Sequence, residues 1–175
     1  MFIEIIVIAI ILGYLFKGNI RNLENAKIEG IWIILIGFLI EVLIIILIRK
    51  AIITKGIITY LLNLAMYICL FVFTYLNRKN YCLLIMGVGF ILNAIPIFFN
   101  GGAMPVSEYA IKMAKLTMDV EKEGLYVLVN ESTKFWFLGD VIPLTILRNF
   151  AISLGDIVTG MGLMFFIIFE MKKKK

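Results

Sequence analysis

The 175-residue chain is too apolar for a soluble protein of its size, because 62% of its residues are hydrophobic, only 17% are charged and its mean hydropathy is +1.03. Soluble domains are about 45 to 50% apolar, so the excess here has to be solvated by lipid. The net charge of +5 comes from short basic clusters beside apolar segments, which is typical of membrane edges and excludes a nucleic-acid partner.

Five apolar stretches predict an all-α membrane protein, a bundle of about five transmembrane helices in a single transmembrane domain (residues 1–175). A helix needs about 20 residues to cross the hydrocarbon and satisfies its own backbone groups there. The first stretch is short, but it lacks the basic start and the cleavage site of a signal peptide, so we expect a tilted or thin-spanning helix. A re-entrant or surface helix would leave four spans. The predicted spans are residues 2–16, 31–48, 57–76, 81–99 and 150–169.

A long extramembrane loop, residues 100–149, separates the fourth span from the fifth. It begins with two glycines, and after Ser107 the polar residues recur at helical spacing. They are Glu108, Lys112, Lys115 and Asp119. This stripe predicts an amphipathic helix lying on the membrane surface or on the bundle. Residues 126–129 form a short run rich in β-branched and aromatic side chains, which favours a strand or an extended crossing.

The sidedness of the membrane follows from the basic residues near the span ends. The lysine run 172–175 favours a cytoplasmic C-terminus. Counting back through five spans places the N-terminus and the loop 100–149 on the extracytoplasmic side. Arg49, Lys50 and Lys55 argue against this orientation.

Two aspartates are candidates for chemistry, because Leu138-Gly139-Asp140 recurs as Leu154-Gly155-Asp156. We expect Asp156 about a third of the way into the last helix, on a face of small residues that meets another helix. An ionisable group in the bilayer is a functional candidate unless it only accepts hydrogen bonds from the loop, and both interpretations stay open. Arg148 is the most obvious counter-charge for either aspartate.

Three further polar side chains fall inside predicted spans. Glu41 lies near the middle of the second span, and Asn63 and Asn93 in the third and fourth are available as its partners. A protonated glutamate hydrogen-bonded between helices is the favoured interpretation. A proton or cation path would need more such groups in register.

The segment from Asn100 to Pro105 is the densest cluster of turn-forming residues. It contains Gly101 and Gly102, which tolerate positive φ and allow close approach to a ligand or another helix, followed by Met104. It lacks the Lys-Ser/Thr ending of a phosphate loop. A tight structural turn after the fourth helix is the favoured interpretation.

Metal and redox ligands are scarce. The sequence has no histidine, and Cys69 and Cys82 are not spaced as a Cys-x-x-Cys motif. Zinc, haem and thiol-redox chemistry therefore lose their usual ligands, and no cofactor is predicted. Carboxylate-bound Mg²⁺ stays open in one hypothesis below.

Four motifs in this order resemble an uncharacterised family of small bacterial integral membrane proteins, domain of unknown function 5317. They are Gly18-Asn19-Ile20-Arg21-Asn22-Leu23, Asn100-Gly101-Gly102-Ala103-Met104-Pro105-Val106-Ser107, Phe137-Leu138-Gly139-Asp140-Val141-Ile142-Pro143-Leu144 and Ser153-Leu154-Gly155-Asp156. The resemblance covers nearly the whole chain. It implies a multi-pass protein of the bacterial cell membrane and no particular activity.

Three functions fit these residues. The preferred one is a non-enzymatic binding or accessory subunit whose loop docks another membrane protein or a lipid headgroup. The second is an enzyme acting on a lipid-linked phosphate, with Asp140 and Asp156 holding Mg²⁺ or acting as base, and with Asn100 and Arg148 on the headgroup. The third is a small-solute transporter component with a cavity at Glu41, Asn63 and Asn93. The candidate binding residues are Asn100, Gly101, Gly102, Met104, Pro105, Gly139, Asp140, Arg148 and Asp156.

Overall fold

The computed structural model describes residues 1–53, 56–116, 125–146 and 148–173. It is mostly helical, with 65% of the described residues in helices. The helices in chain order are α1 (Phe2–Leu15), α2 (Ile31–Arg49), α3 (Ile57–Leu76), α4 (Tyr81–Phe99), α5 (Glu108–Met113) and α6 (Leu154–Lys172). Short 3₁₀ helices occupy Ile20–Asn25 and Trp136–Leu138.

Four of the helices, α2, α3, α4 and α6, are long and apolar enough to cross a membrane. The remaining apolar helix, α1, has 14 residues. At 1.5 Å per residue it extends about 21 Å, less than the roughly 30 Å of a hydrocarbon core. Of the five expected spans, four therefore have the length of a transmembrane helix.

The long helices pack side by side in the order α1, α6, α4, α3, α2. The closest approach is between α4 and α6, where glycines leave no room for a side chain. A Cβ on Gly162 would lie 2.7 Å from the carbonyl oxygen of Cys82, and one on Gly155 would lie 2.7 Å from that of Gly89. Small residues of this kind let helix backbones meet in lipid, where no hydrophobic force drives association.

The described part of the loop between α4 and α6 contains four short strands. One of them agrees with the strand or extended crossing expected at residues 126–129, and the other three were not predicted. The four strands are β1 (Met104–Val106), β2 (Tyr126–Leu128), β3 (Ile142–Leu144) and β4 (Phe150–Ile152). β1 pairs in parallel with β2, and β3 pairs antiparallel with β4. On its other side β1 meets Asp140, through an isolated bridge to Val106. The loop is therefore a folded cap that brings distant segments together.

The amphipathic helix expected in the loop is not confirmed as predicted. Its first residues form α5, which has six residues, is capped by the Ser107 side chain and ends before Lys115. Within α5, Glu108 and Lys112 stand at i, i+4 spacing and form an ion pair at 2.9 Å. Asp119, the last residue of the predicted stripe, lies outside the described residues.

The last helix begins later than predicted. Residues 150–152 form β4, and α6 starts at Leu154 instead of at Phe150. The reason is a capping box, in which the Ser153 hydroxyl accepts from the Asp156 amide and the Asp156 carboxyl accepts from the Ser153 amide. Asp156 is therefore in the first turn of α6, and the expectation that it lies a third of the way along the helix is wrong.

The two ends of the helix bundle differ. The N-terminal end of α1 lies beside the cap, where Glu4 is 3.8 Å from Arg148. At the opposite end, the backbone amide of Asn19 and the side chain of Asn22 both donate to the carbonyl of Met171, at 2.8 and 2.7 Å. The segment from Gly18 to Leu23 thus fixes the C-terminal end of α6. Lys55, Lys174 and Lys175, which entered the sidedness argument, lie outside the described residues.

Candidate functional site

A cavity of about 390 Å³ lies where the cap meets the helices. The polar side chains predicted inside the spans converge on it, and both candidate aspartates line it as well. Its polar side chains include those of Glu41, Asn63, Tyr67, Asn93, Tyr126, Asp140 and Asp156. The chain thus brings together in one place residues that the sequence could identify only separately.

The helix positions explain this convergence. Asn63 is six residues from the start of α3 and Asn93 is six residues from the end of α4, which puts each about 9 Å from that end of its helix. Glu41 is eight residues from the end of α2, or about 12 Å from that end. Since α3 runs antiparallel to its neighbours α2 and α4, the three groups reach one level.

Asn93 and Asp156 form the best-connected part of the site. The Asn93 Nδ2 donates to Asp156 Oδ1 at 2.9 Å, and the Ser153 hydroxyl donates to Asn93 Oδ1 at 2.7 Å. The second carboxyl oxygen of Asp156 accepts from the Ser153 amide at 3.2 Å. This network holds Asp156 in one orientation at the wall of the cavity.

Asn63 attaches the cap to α3. Its side chain is 5% exposed, and its Nδ2 donates to the carbonyl oxygen of Gly102 at 3.0 Å. Gly102 has a φ of +84°, and a Cβ there would lie 3.0 Å from the Cα of Tyr60. Glycine is therefore required at this position both by the backbone conformation and by the close approach to α3.

Asp140 is the most unusual group in the cavity, because its side chain is 6% exposed and its Oδ1 has no hydrogen-bond partner among the described residues. Its backbone is well held, since its amide donates to the Pro105 carbonyl at 2.7 Å and its carbonyl accepts from the Ser107 amide at 3.3 Å. Burial raises the pKa of Asp140 well above its usual range, and the charge of Asp156 raises it further. A buried acceptor without a donor is costly, so this oxygen is available to a ligand.

Glu41 does not take the partners expected for it. Asn63 and Asn93 donate to Gly102 and Asp156 instead. Glu41 lines the cavity from α2, and its residue surface is exposed. The expectation of a glutamate hydrogen-bonded to these two asparagines is therefore wrong, because each is already engaged in fixing the cap or α6.

The charge of the cavity is one-sided. Three carboxyl groups line it, and no lysine or arginine side chain does so among the described residues. The N-terminal ammonium of Met1 also lies at its wall, but it pairs with Glu4 at 2.8 Å. Arg148, expected as the counter-charge of an aspartate, pairs with Glu4 as well. That expectation is wrong, because the β3–β4 pairing carries Arg148 toward the start of α1.

Among the remaining predicted site residues, Asn100 and Gly139 have structural roles. The Asn100 side chain donates to the carbonyls of Pro96 and Lys134 at 2.7 Å and accepts from the Lys134 amide at 3.0 Å, so it joins the end of α4 to the cap. Gly101 is exposed and has a φ of +71°. Gly139 packs against Pro105, with its Cβ position too close to the Pro105 carbonyl for any side chain. Met104 lines the cavity.

Two groups in the site were not anticipated. Tyr67 lines the cavity, is buried, and packs edge-on against Phe98 with ring centroids 5.3 Å apart. In a long apolar run it has no distinguishing sequence signal. Ser153 anchors both Asn93 and Asp156, and here the Ser-x-x-Asp spacing of a capping box was a usable signal.

The site offers carboxyl groups but no preformed metal cluster. Within the described ranges, no group of three or more His, Cys, Asp or Glu side chains is close enough to hold a metal ion. Asp140 and Asp156 do line the same cavity, as a carboxylate-bound Mg²⁺ would require. What the arrangement provides directly is a group of carboxyl groups around one cavity, including the unpartnered Oδ1 of Asp140.

The comparisons with known proteins agree with one another. An uncharacterized protein of Thermotoga maritima is 29% identical to this chain over 172 residues, which is 97% of this chain and 92% of the relative. No solved structure matches the chain. The model of a family of unknown function, DUF5317, matches residues 25–168, and the chain belongs to that family.

Proposed function

We propose that this protein is a non-enzymatic binding subunit of the bacterial cell membrane, which holds a small ligand in the cavity between its cap and its helices. The observation that carries the proposal is the convergence of Glu41, Asn63, Asn93, Asp140 and Asp156 on one cavity. Four helices of transmembrane length support the membrane location. The basic C-terminal end supports a cytoplasmic C-terminus with the cap on the extracytoplasmic side.

The size and construction of the cavity support binding. Small-molecule sites are concave, largely pre-formed and about 300 to 1,000 Å³ in volume, with a few polar groups among apolar walls. Here Met66, Ile97 and Phe150 supply apolar wall, and the Asn93, Ser153 and Asp156 network fixes the polar groups in advance. A pre-organised site loses little entropy when a ligand binds.

A lipid-linked phosphate fits this cavity less well. A phosphate needs cations or several donors, but the charged side chains that line the cavity are carboxyl groups. The two residues assigned to the headgroup in that hypothesis are engaged elsewhere, since Asn100 holds Lys134 and Arg148 pairs with Glu4. The charge of the site therefore favours binding of a different class of ligand.

A transporter component is the second candidate. It requires a cavity lined by Glu41, Asn63 and Asn93, and these three residues do line the cavity. A protein that only binds the ligand should hold one equivalent of it in the cavity. A transporter component should also move the ligand across proteoliposomes that contain it, and this measurement separates the two candidates.

The proposal is tested by filling the cavity. Ala151 lines it, so Ala151→Phe should occupy part of its volume, and Ile97→Trp does the same from α4. Thr145→Phe places an equal bulk on an exposed position of the cap and serves as the control. Each protein would be purified from native membranes and examined by native mass spectrometry. A bound small molecule should be present in the wild type and the control and absent in both filled variants. Equal retention in all four proteins, or none in any, would refute the proposal.

A further inference from the structure

The hydrogen-bond inventory of the cavity indicates what its ligand must supply. The Nδ2 groups of Asn63 and Asn93 donate within the protein, to Gly102 and Asp156. The Ser153 hydroxyl likewise donates to Asn93. The donors are thus used internally, whereas the Oδ1 of Asp140 remains an acceptor without a donor among the described residues. A complementary ligand therefore carries hydrogen-bond donors.

The charge of the cavity points the same way. Glu41, Asp140 and Asp156 line it from α2, the cap and α6, and the N-terminal ammonium at its wall is paired with Glu4. An anion placed there would meet the carboxyl groups in a poorly solvated site. A cation would instead favour the ionised form of Asp140, which burial disfavours in the empty cavity. Only 6% of the Asp140 surface is exposed, so solvent screens its interaction with a ligand little.

The apolar part of the wall suits a cation that carries a hydrocarbon group. Tyr67 lies in the wall with Phe2 and Phe150. Aromatic faces attract ammonium groups as well as contacting hydrocarbon.

On the basis of the proposed function, we propose that the ligand is an organic compound with a primary ammonium group. The carboxyl groups of Asp140, in the cap, and Asp156, in the first turn of α6, both bind this ammonium group. Asp140 supplies the acceptor that lacks a donor. Asp156, held by Asn93 and Ser153, supplies a fixed second carboxyl group. Glu41 lines the same cavity from α2, and a third carboxyl group there favours a cation over an anion.

Two sources could provide such an ammonium group, a free amine or the headgroup of an ethanolamine phospholipid. An apolar groove of about 280 Å³ adjoins the cavity, shares Asp156, Phe150 and Ile152 with it, and has Arg148 among its lining residues. It runs between α1 and α6 and could take a hydrocarbon tail. The shared chemistry is the primary ammonium, and the experiment below includes both sources.

The test uses three probes of similar shape and different charge: phenethylammonium, phenethyl alcohol and phenylacetate. Their binding to the full-length protein in detergent would be measured by isothermal titration calorimetry. Phenethylammonium should bind about tenfold or more tightly than the other two, the factor that a charge-assisted hydrogen bond provides. Asp140→Asn should abolish this preference, and Asp156→Asn should reduce it. Glu170→Gln neutralises another buried carboxyl, paired with Lys173 at the far end of α6, and should leave the preference unchanged.

The lipid source is tested by competition. Nanodiscs of phosphatidylcholine with and without phosphatidylethanolamine would be compared for phenethylammonium affinity. Weaker binding with phosphatidylethanolamine assigns the headgroup as ligand, and equal binding assigns a free amine.

If the alcohol or the carboxylate binds as well as the ammonium, or if Asp140→Asn keeps the preference, the ammonium inference is overturned. If Ala151→Phe blocks binding of the probes in that case, the proposed function still stands. If no probe binds and the purified protein holds no molecule that Ala151→Phe removes, the proposed function itself fails.

Discussion

Asn93 and Asp156 are hydrogen-bonded across the α4–α6 interface, from Nδ2 to the carboxyl Oδ1 at 2.9 Å. The same asparagine accepts a hydrogen bond from the hydroxyl of Ser153, the N-cap residue of α6. One amide group on α4 therefore holds both the first turn of α6 and a carboxyl group of the cavity. The stability of the interface and the geometry of the site depend on the same bond.

We predict that Asn93→Leu lowers the free energy of unfolding by about 1 to 3 kcal/mol, because the change leaves a carboxyl oxygen and a hydroxyl without their partner. Thermal unfolding in detergent, followed by circular dichroism, measures this loss. Asn149→Leu is the control, since Asn149 is exposed on the cap. Equal stability of the two variants would contradict a structural role for the Asn93 network.

Gly162→Ala should loosen the contact between α4 and α6. A Cβ at this position would lie 2.7 Å from the backbone nitrogen of Met86 and equally close to the carbonyl of Cys82. Alanine raises helix propensity by about 1 kcal/mol, so a net loss of stability shows that the clash outweighs propensity. We expect a net loss of about 1 to 3 kcal/mol by thermal unfolding.

The matched control for this change is Gly56→Ala. A Cβ on Gly56 meets nothing within 4 Å, so this substitution should change stability by less than about 0.5 kcal/mol. A Gly162→Ala protein as stable as the control would mean that α4 and α6 are not in close contact.

The helices were largely predictable from the sequence. Hydropathy predicted residues 31–48, 57–76 and 81–99, and the structure has Ile31–Arg49, Ile57–Leu76 and Tyr81–Phe99. Long apolar runs leave little choice of structure in lipid. Asn80 is the N-cap residue of α4, and its side chain accepts from the amides of Cys82 and Leu83. Asparagine is among the residues preferred at this position of a helix.

The errors occurred where short apolar segments or distant pairs decided the structure. Residues 150–152 are apolar and were assigned to a helix, because a strand and a helix segment of that length have the same hydrophobic pattern. Their pairing with Ile142–Leu144 is a tertiary contact. The convergence of Asp140 with Asp156 depends on the bridge from Asp140 to Val106, and no periodicity in the sequence encodes it.

Arg148→Ala should have little effect on stability. Arg148 has a 74% exposed side chain and lies 3.8 Å from Glu4. Exposed ion pairs contribute about 0 to 1 kcal/mol and are screened by salt. A loss above about 2 kcal/mol, or a loss that persists in high salt, would indicate that Arg148 neutralises a buried aspartate after all. Chemical unfolding at low and high salt distinguishes these outcomes.

Asp140 should make the protein less stable as the pH rises. Burial, and then the charge of Asp156, raise the pKa of Asp140 in the folded protein, whereas the unfolded chain has an ordinary value near 3.9. Between these two values the folded state retains a proton that the unfolded state has released. The contribution of Asp140 to the free energy of unfolding therefore falls with increasing pH, by at most about 1.4 kcal/mol per pH unit, and becomes constant above the folded pKa.

Asp140→Asn removes this dependence, because asparagine does not titrate. The variant should gain stability relative to the wild type as the pH rises from about 4, and the difference should level off at high pH. Other titratable groups face Asp140 across the cavity, namely Glu41, Tyr67, Tyr126, Asp156 and the N-terminal ammonium of Met1. Asp156→Asn isolates the contribution of Asp156, because it removes the charge next to Asp140. It should narrow the pH range over which Asp140 lowers stability, without abolishing this pH dependence. Glu108→Gln, on the exposed surface of α5, is the control. Wild-type and Asp140→Asn curves that remain parallel from pH 4 to 9 would show that Asp140 is not buried against Asp156 in the folded protein, because a solvated carboxyl group has nearly the same pKa in both states.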